Sequence, residues 1–212
     1  MKQLDWYFDF ISPFAYLQSE LLHRLDGVQS IQYRPILFAG LLNHWDNKGP
    51  AEIAPKRQWT FEHCAWLAHK HGIPLRMLPE HPFNPLPLLR LCLALDCREA
   101  AVRRLFRFVW RDGHIPAQTE RWQALLGELQ VTPAMLDAQA VKDALRRNGE
   151  LAIAAGVFGV PTSVVDGRCF WGLDSTDMLQ AYLNGDDFFE TGALQAAKDM
   201  PYGMQRKIPG KI

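Results

Sequence analysis

Phe8-Asp9-Phe10-Ile11-Ser12-Pro13-Phe14-Ala15-Tyr16 decides how the rest of the chain is read. Before it, Gln3 to Asp9 alternates loosely and is rich in aromatics, which predicts a strand. Within it, Ser12-Pro13 predicts a helix start. Serine is a favoured N-cap, and proline suits the first helical position, where its missing N–H would be unpaired in any case. Phe14, Leu17, Leu21, Leu22 and Leu25 follow at helical spacing, so the helix is expected from Pro13 to about Leu25, ended by Asp26-Gly27. Ser12 thus falls at the joint of a strand and a helix, at the helix end that attracts negative charge. It reads either as a cap and nothing more or as a functional hydroxyl. A full capping box would carry Glu or Gln at position 15, where this chain has Ala15.

Working outward, Gln29 to Phe38 predicts a second strand, with Pro35 pointing to an edge position or a distortion. A βαβ start with short turns favours a parallel, right-handed crossover. Ala39 to Pro55 reads as a loop, long enough to suggest a function. A helix is expected from Lys56 to about His71, then an extended piece from Ile73 to Leu78 and a proline-rich loop from His81 to Pro87. Helical segments follow near 86–97, 99–112, 117–129, 133–138 and 140–155. Gly156 to Pro161 breaks that pattern. Thr162 to Val165 and Arg168 to Trp171 read as a hairpin around Asp166-Gly167, and Leu173 to Leu183 as a closing helix. The order βαβ, helices, ββα is an α/β fold: a thioredoxin-like core with an all-helical domain inserted in its middle. The expected division is 1–78 with 156–185 for the thioredoxin-like domain, 79–155 for the insert, and 186–212 for a polar C-terminal tail.

The 23 basic and 23 acidic residues balance, which argues against a general nucleic-acid binder. No apolar run approaches the ~20 residues of a membrane span. Asp5 stands where a signal peptide would be apolar, so a cytoplasmic location is expected. Cys64, Cys92, Cys97 and Cys169 form no Cys-x-x-Cys pair, and their spacing fits neither a zinc site nor a small disulfide scaffold; they read as reduced, mostly buried thiols. His63, His69 and His71 lack the i, i+4 spacing of a helical metal pair, so no metal is expected.

Phe8 to Tyr16, followed downstream by Phe158-Gly159-Val160-Pro161-Thr162 and Trp171-Gly172-Leu173-Asp174, resembles the 2-hydroxychromene-2-carboxylate isomerase family. That family is related to kappa-class glutathione transferases and to disulfide oxidoreductases of the DsbA type. An oxidoreductase of this group would carry Cys-x-x-Cys where this chain has Ser12-Pro13-Phe14-Ala15, and dithiol exchange needs an attacking thiolate and a second sulfur. The resemblance instead implies that Ser12 hydrogen-bonds the sulfur of glutathione, the cofactor, and favours its thiolate. It implies that Val160-Pro161 is a cis-proline pair whose main chain holds the cysteinyl part; the alternative is an ordinary trans turn. Leu173, Asp174 and Ser175 would hold the γ-glutamyl end, unless Asp174 is simply an N-cap. The family usually has Arg where this chain has Ser175. Asn47 and Lys56 match positions that contact glutathione in kappa-class proteins, Lys56 suiting the glycyl carboxylate; otherwise they are solvated loop residues. Trp45, Phe83 and Asn84 would line the side of a flat aromatic substrate, or pack in the core. Arg57 or Arg90 is a further candidate for the substrate carboxylate. The implied reaction is glutathione-dependent interconversion of 2-hydroxychromene-2-carboxylate and trans-o-hydroxybenzylidenepyruvate in naphthalene-type degradation, in a homodimer. Two alternatives remain: a kappa-type conjugating transferase, and a non-catalytic glutathione- or peptide-binding module.

Overall fold

Strand β1 (Lys2–Phe8) is the centre of the molecule. Leu4, Trp6 and Phe8 are fully buried on one face, and Tyr7 is buried on the other. A strand covered on both faces needs a nearly continuous apolar run, and Trp6-Tyr7-Phe8 supplies it. The structure is a computed structural model describing residues 1–203. Its four-stranded sheet has the order β2-β1-β3-β4. Strand β2 (Val28–Pro35) pairs parallel to β1, with Trp6 opposite Tyr33 and Phe8 opposite Pro35. Strand β3 (Thr162–Val165) pairs antiparallel to β1, and β4 (Arg168–Trp171) antiparallel to β3. The β3–β4 turn puts Asp166 and Gly167 in the left-handed region (φ 49° and 75°), the geometry that suits a two-residue hairpin.

Two expected elements are corrected near the first turn. Helix α1 spans Pro13–Ser19 rather than reaching Leu25, and Leu22–Arg24 forms a separate 3-10 turn. Ser19 Oγ bonds back to the Tyr16 carbonyl (2.6 Å), a contact that competes with helix continuation. Glu20 then turns to Arg107 in a two-pronged ion pair (2.7 Å on each arm). Strand β2 stops at Pro35 instead of running to Phe38, because the Asp9 carboxylate captures the Phe38 N–H (2.9 Å) and starts helix α2 (Phe38–His44) there. The stretch read as a loop up to Pro55 therefore contains α2 and a 3-10 turn at Pro50–Glu52.

Helix α3 (Ala54–His71) ends at Gly72, left-handed at φ 66°. The central helices stand where periodicity placed them, with trimmed ends: α4 (Leu86–Ala94), α5 (Glu99–Phe106), α6 (Thr119–Glu128), α7 (Pro133–Asp137) and α8 (Gln139–Ala154). A π-helical turn at Arg107–Arg111 continues α5. Helix α9 (Thr176–Leu183) begins three residues later than expected. The segment after it is not a simple polar arm. A 3-10 turn (Asp187–Glu190) and α10 (Gly192–Lys198) follow, and Phe189 is buried against Tyr182 (ring centroids 4.9 Å) under the Arg168 guanidinium. The basic end of that tail, Arg206, Lys207 and Lys211, lies outside the described residues.

The core is shared between sheet and helices. Phe8 meets Phe10 at 5.3 Å, and Phe10 meets Phe106 of α5 at 4.6 Å between ring centroids. The two buried indoles in this cluster are partnered: Trp6 Nε1 donates to Gln18 Oε1 (2.7 Å) and Trp110 Nε1 to the Phe10 carbonyl (2.8 Å). Gln18 donates onward to the Gly172 carbonyl (3.2 Å), fixing the β4–α9 turn against α1. Among the described residues, no helix is long and apolar enough to cross a membrane.

Candidate active site

Ser12 is buried at the foot of a cleft and caps α1: its Oγ accepts the Ala15 N–H at 3.2 Å. Its own O–H points to the Val160 carbonyl at 3.5 Å, the outer limit of a hydrogen bond. A hydroxyl so loosely engaged can turn to a better acceptor at little cost. Val160-Pro161 is a cis pair, and it sits across from Ser12 because β3 lies beside β1.

Beneath Ser12, Asp9 is fully buried. One carboxylate oxygen accepts the Ile11 N–H (3.1 Å), the other the Phe38 N–H (2.9 Å), and the Asp9 carbonyl accepts the Ser12 N–H (3.1 Å). Burial pushes the carboxyl up to about 7, although the N–H donors pull the other way. Asp9 so fixes the turn that presents Ser12 and ties it to α2.

The cleft holds about 1180 Å³ between α1, α3, the α2–α3 connection and the β4–α9 turn. It brings together Ser12, Asn47, Lys56, Phe83, Val160, Pro161, Leu173 and Asp174 from five separate stretches of the chain. Trp45, Asn84 and Ser175 are not among its lining residues. Trp45 donates Nε1–H to the Val157 carbonyl (2.9 Å), bracing the end of α2 against the segment before β3. Asn84 Oδ1 accepts the Leu86 N–H (3.1 Å) at the start of α4. Ser175 donates to the Gly172 carbonyl (2.9 Å) and takes the N-cap position that Asp174 was a candidate for. Asp174 is exposed at the mouth, and its carboxylate folds over Gly172. At φ 89°, and with that carboxylate where a Cβ would go, position 172 needs glycine.

Charge divides the cleft. Lys48, Lys56 and Arg57 come from the α2–α3 side, where Glu52 is turned to the Gly49 N–H (2.6 Å), Lys70 from the far end of α3, Arg24 from the turn after α1, and Asp174 and Asp177 from the α9 side. A ligand with a carboxylate at one end and an ammonium at the other matches that polarity. Asn47 is held locally, its Oδ1 accepting the Lys48 N–H (2.8 Å). Arg57 reaches the His81 carbonyl (3.2 Å).

Several lining groups were not singled out as site residues from the sequence. Trp59 is exposed and stacks on His63 (5.6 Å), which meets Phe14 (5.8 Å); Trp59 and His63 are four apart on α3, a spacing readable once the helix is placed. Phe158 and Trp171 form a second exposed aromatic pair (4.9 Å), with the Trp171 indole pressed against Gly159, where no side chain would fit. His81 Nε2 lies 3.0 Å from the Ile11 carbonyl. A carbonyl only accepts, so Nε2 carries the proton. Burial holds this imidazole below its ordinary range, against the pull of the Ile11 carbonyl.

Residues 3–184 match the family model of the DSBA-like thioredoxin domain. The chain belongs to that family. Among curated relatives, the 2-hydroxychromene-2-carboxylate isomerase of Sphingobium xenophagum is 31% identical over 202 residues, covering 86% of this chain and 98% of its own length. Glutathione S-transferase kappa 2 of Caenorhabditis elegans is 29% identical over 186 residues, covering 79% of this chain and 83% of its own. A solved structure of a 2-hydroxychromene-2-carboxylate isomerase shares the fold with a TM-score of 0.74 at 24% identity, over 92% of this chain and 97% of that one. Within this DSBA-like family, the present chain has serine and no cysteine in its first βα turn.

Proposed function

We propose that this DSBA-like protein is a glutathione-dependent isomerase that interconverts 2-hydroxychromene-2-carboxylate and trans-o-hydroxybenzylidenepyruvate in the breakdown of naphthalene-type aromatics, as a cytoplasmic homodimer. The observation that carries the reading is the Ser12 hydroxyl, buried at the cleft floor with its proton engaged at 3.5 Å and the Val160 main chain opposite. Isomerases and kappa-class transferases among the relatives support the same chemistry.

Bound glutathione would supply a thiolate that adds reversibly to the conjugated C=C bond, so that the bond can rotate before the sulfur leaves. Ser12 turns its O–H from Val160 to that sulfur and stabilises the charged form. Holding a free thiol two pKa units below about 8.5 takes about 2.7 kcal/mol, within reach of a charge-assisted hydrogen bond aided by the first-turn N–H groups. Val160, beside the cis-proline, offers its main chain to the cysteinyl amide, and Lys56 pairs with the glycyl carboxylate. Asp174, next to Leu173 and Ser175, pairs with the γ-glutamyl ammonium. Phe83 and Trp59 provide apolar walls for a flat aromatic acid. The match to kappa-class transferases at nearly equal identity favours, as a second reading, conjugation in which glutathione is consumed.

The test follows the ultraviolet spectrum of 2-hydroxychromene-2-carboxylate with and without glutathione, for the native chain and Ser12→Ala. The expected result is conversion that requires glutathione, leaves its concentration unchanged and falls about 100-fold in Ser12→Ala, about 2.7 kcal/mol of lost transition-state stabilisation. Conversion that is independent of glutathione rejects the reading. Turnover that depletes glutathione moves it to the transferase.

A further inference from the structure

Helix α4 ends in a turn closed by two main-chain bonds: Asp96 N–H to the Leu93 carbonyl (3.0 Å) and Cys97 N–H to the Cys92 carbonyl (2.9 Å). This helix ending brings the side chains at its two outer positions together. Among the described residues the same long bond also ends α2, α3, α6, α8 and α9, pairing Leu42 with Asn47, Ala68 with Ile73, Leu126 with Val131, Ala152 with Val157 and Ala181 with Asp186. At the end of α4 the pair is two cysteines. The backbone differs as well. Asp96 and Cys97 are consecutive non-glycine residues in the left-handed region (φ 56° and 50°), a conformation that L-residues rarely adopt. The second of these turns carries the Cys97 thiol back over the helix end, beside the Cys92 thiol. Cys92 is fully buried, while Cys97 is half-buried between the exposed Asp96 and Arg98. Neither lines the cleft.

We propose that Cys92 and Cys97 form a redox modification site, with Cys97 attacking a low-molecular-weight disulfide such as oxidised glutathione and Cys92 closing an intramolecular bridge. In the first step the Cys97 thiolate displaces one glutathione as a thiol and forms a mixed disulfide. In the second, the Cys92 sulfur attacks Cys97 Sγ and releases the second glutathione, whose departing sulfur takes up the Cys92 proton. The protein gives up two electrons and two protons, and the oxidised glutathione takes them up. A disulfide requires Cα atoms within about 7 Å, and a main-chain bond of 2.9 Å between the two residues themselves holds them to that limit.

The division of labour follows from the surroundings. Cys97 is the thiol within reach of solvent while Cys92 is sealed in the core, and the neighbouring Cys92 thiol and Arg34 favour the charged form of Cys97 against burial and Asp96. Burial raises Cys92, pushes Cys64 up to about 12 and raises Cys169, so none of the three is the first nucleophile; Cys92 acts only once Cys97 beside it carries the mixed disulfide. A bridge closing so short a loop gains little entropy and stays easy to reduce.

The test incubates reduced, full-length protein with oxidised glutathione, blocks remaining thiols by alkylation and maps the cysteine peptides by mass spectrometry. The expected product in the native chain is a Cys92–Cys97 linked peptide, with Cys64 alkylated once the protein is unfolded. Cys92→Ser should trap glutathione on Cys97, and Cys97→Ser should leave Cys92 free. Because Cys92 lies in the core, the native chain decides the matter whether or not Cys92→Ser folds. Cys92 and Cys97 both recovered alkylated, or a glutathione that persists on Cys97 in the native chain, overturns the proposal.

Discussion

Ser12 does two jobs whose energies separate. As a cap it is worth about 1 kcal/mol, so Ser12→Ala should lower Tm by only about 2–4 °C in a chain of this size. As the proposed partner of a thiolate it is worth about 100-fold in rate. A variant with a modest Tm shift by differential scanning fluorimetry and a collapse in activity meets both expectations; equal losses would mean the hydroxyl is only structural. Asp9 makes a second prediction. An unfolded aspartate titrates near 3.9, whereas the buried one titrates at about 7. Between those values the folded state keeps a proton that the unfolded state has released, so this group's contribution is full below about pH 4 and declines as pH rises toward 7. Asp9→Asn cannot ionise. Urea titrations should therefore show the native chain losing ground to the variant by up to about 1.4 kcal/mol per pH unit between pH 5 and 7; a constant gap would mean that Asp9 is not shifted. Ser12 was legible as a candidate from its place before Pro13 at a strand–helix joint, and Pro161 and Asp174 through the motifs that carry the family resemblance. The role of Asp9 was not, since its partner Phe38 lies on another element and nothing near either residue announces the bond.

At the level of elements, periodicity placed the helices and the β3–β4 hairpin well, because a buried face repeats on its own period. It failed where one element is started or ended by another. Helix α2 begins at a bond from the β1–α1 turn, and α1 stops where Glu20 leaves for Arg107 of the π-helical turn. The segment after α9 looked polar because its anchor is a single buried ring. Phe189 seals Phe170 and Tyr182 beneath it, so Phe189→Ala should cost about 3–5 kcal/mol, which thermal denaturation would detect. A variant with unchanged Tm would return this segment to the status of a loose arm. The cleft walls follow the same logic. Lys56 and Asp174 were proposed through the family resemblance and line the cleft, whereas Trp59 and His63 needed the orientation of α3, and Trp171 needed the close approach of Gly159.

For the whole molecule, the cluster of Trp6, Phe8, Phe10 and Phe106 joins the sheet to the central helices. Phe106→Ala should lower the melting of sheet and helices together, so that tryptophan fluorescence and far-ultraviolet circular dichroism give one coincident, shifted transition. Two separate transitions would mean that the central helices hold a core of their own. The overall α/β arrangement was legible from element order, but this shared core was not, because hydrophobic spacing identifies a buried face without naming what covers it. The sheet order has a consequence for biosynthesis. β1 ends at Phe8, yet its antiparallel neighbour begins only at Thr162, so the ribosome delivers the two far apart. At about 5–20 residues per second, an aromatic strand with one unpaired edge waits roughly 10–30 s for its partner to be translated. Nascent chains stalled before Thr162 are the ones that a chaperone would have to shield from joining edge to edge with one another.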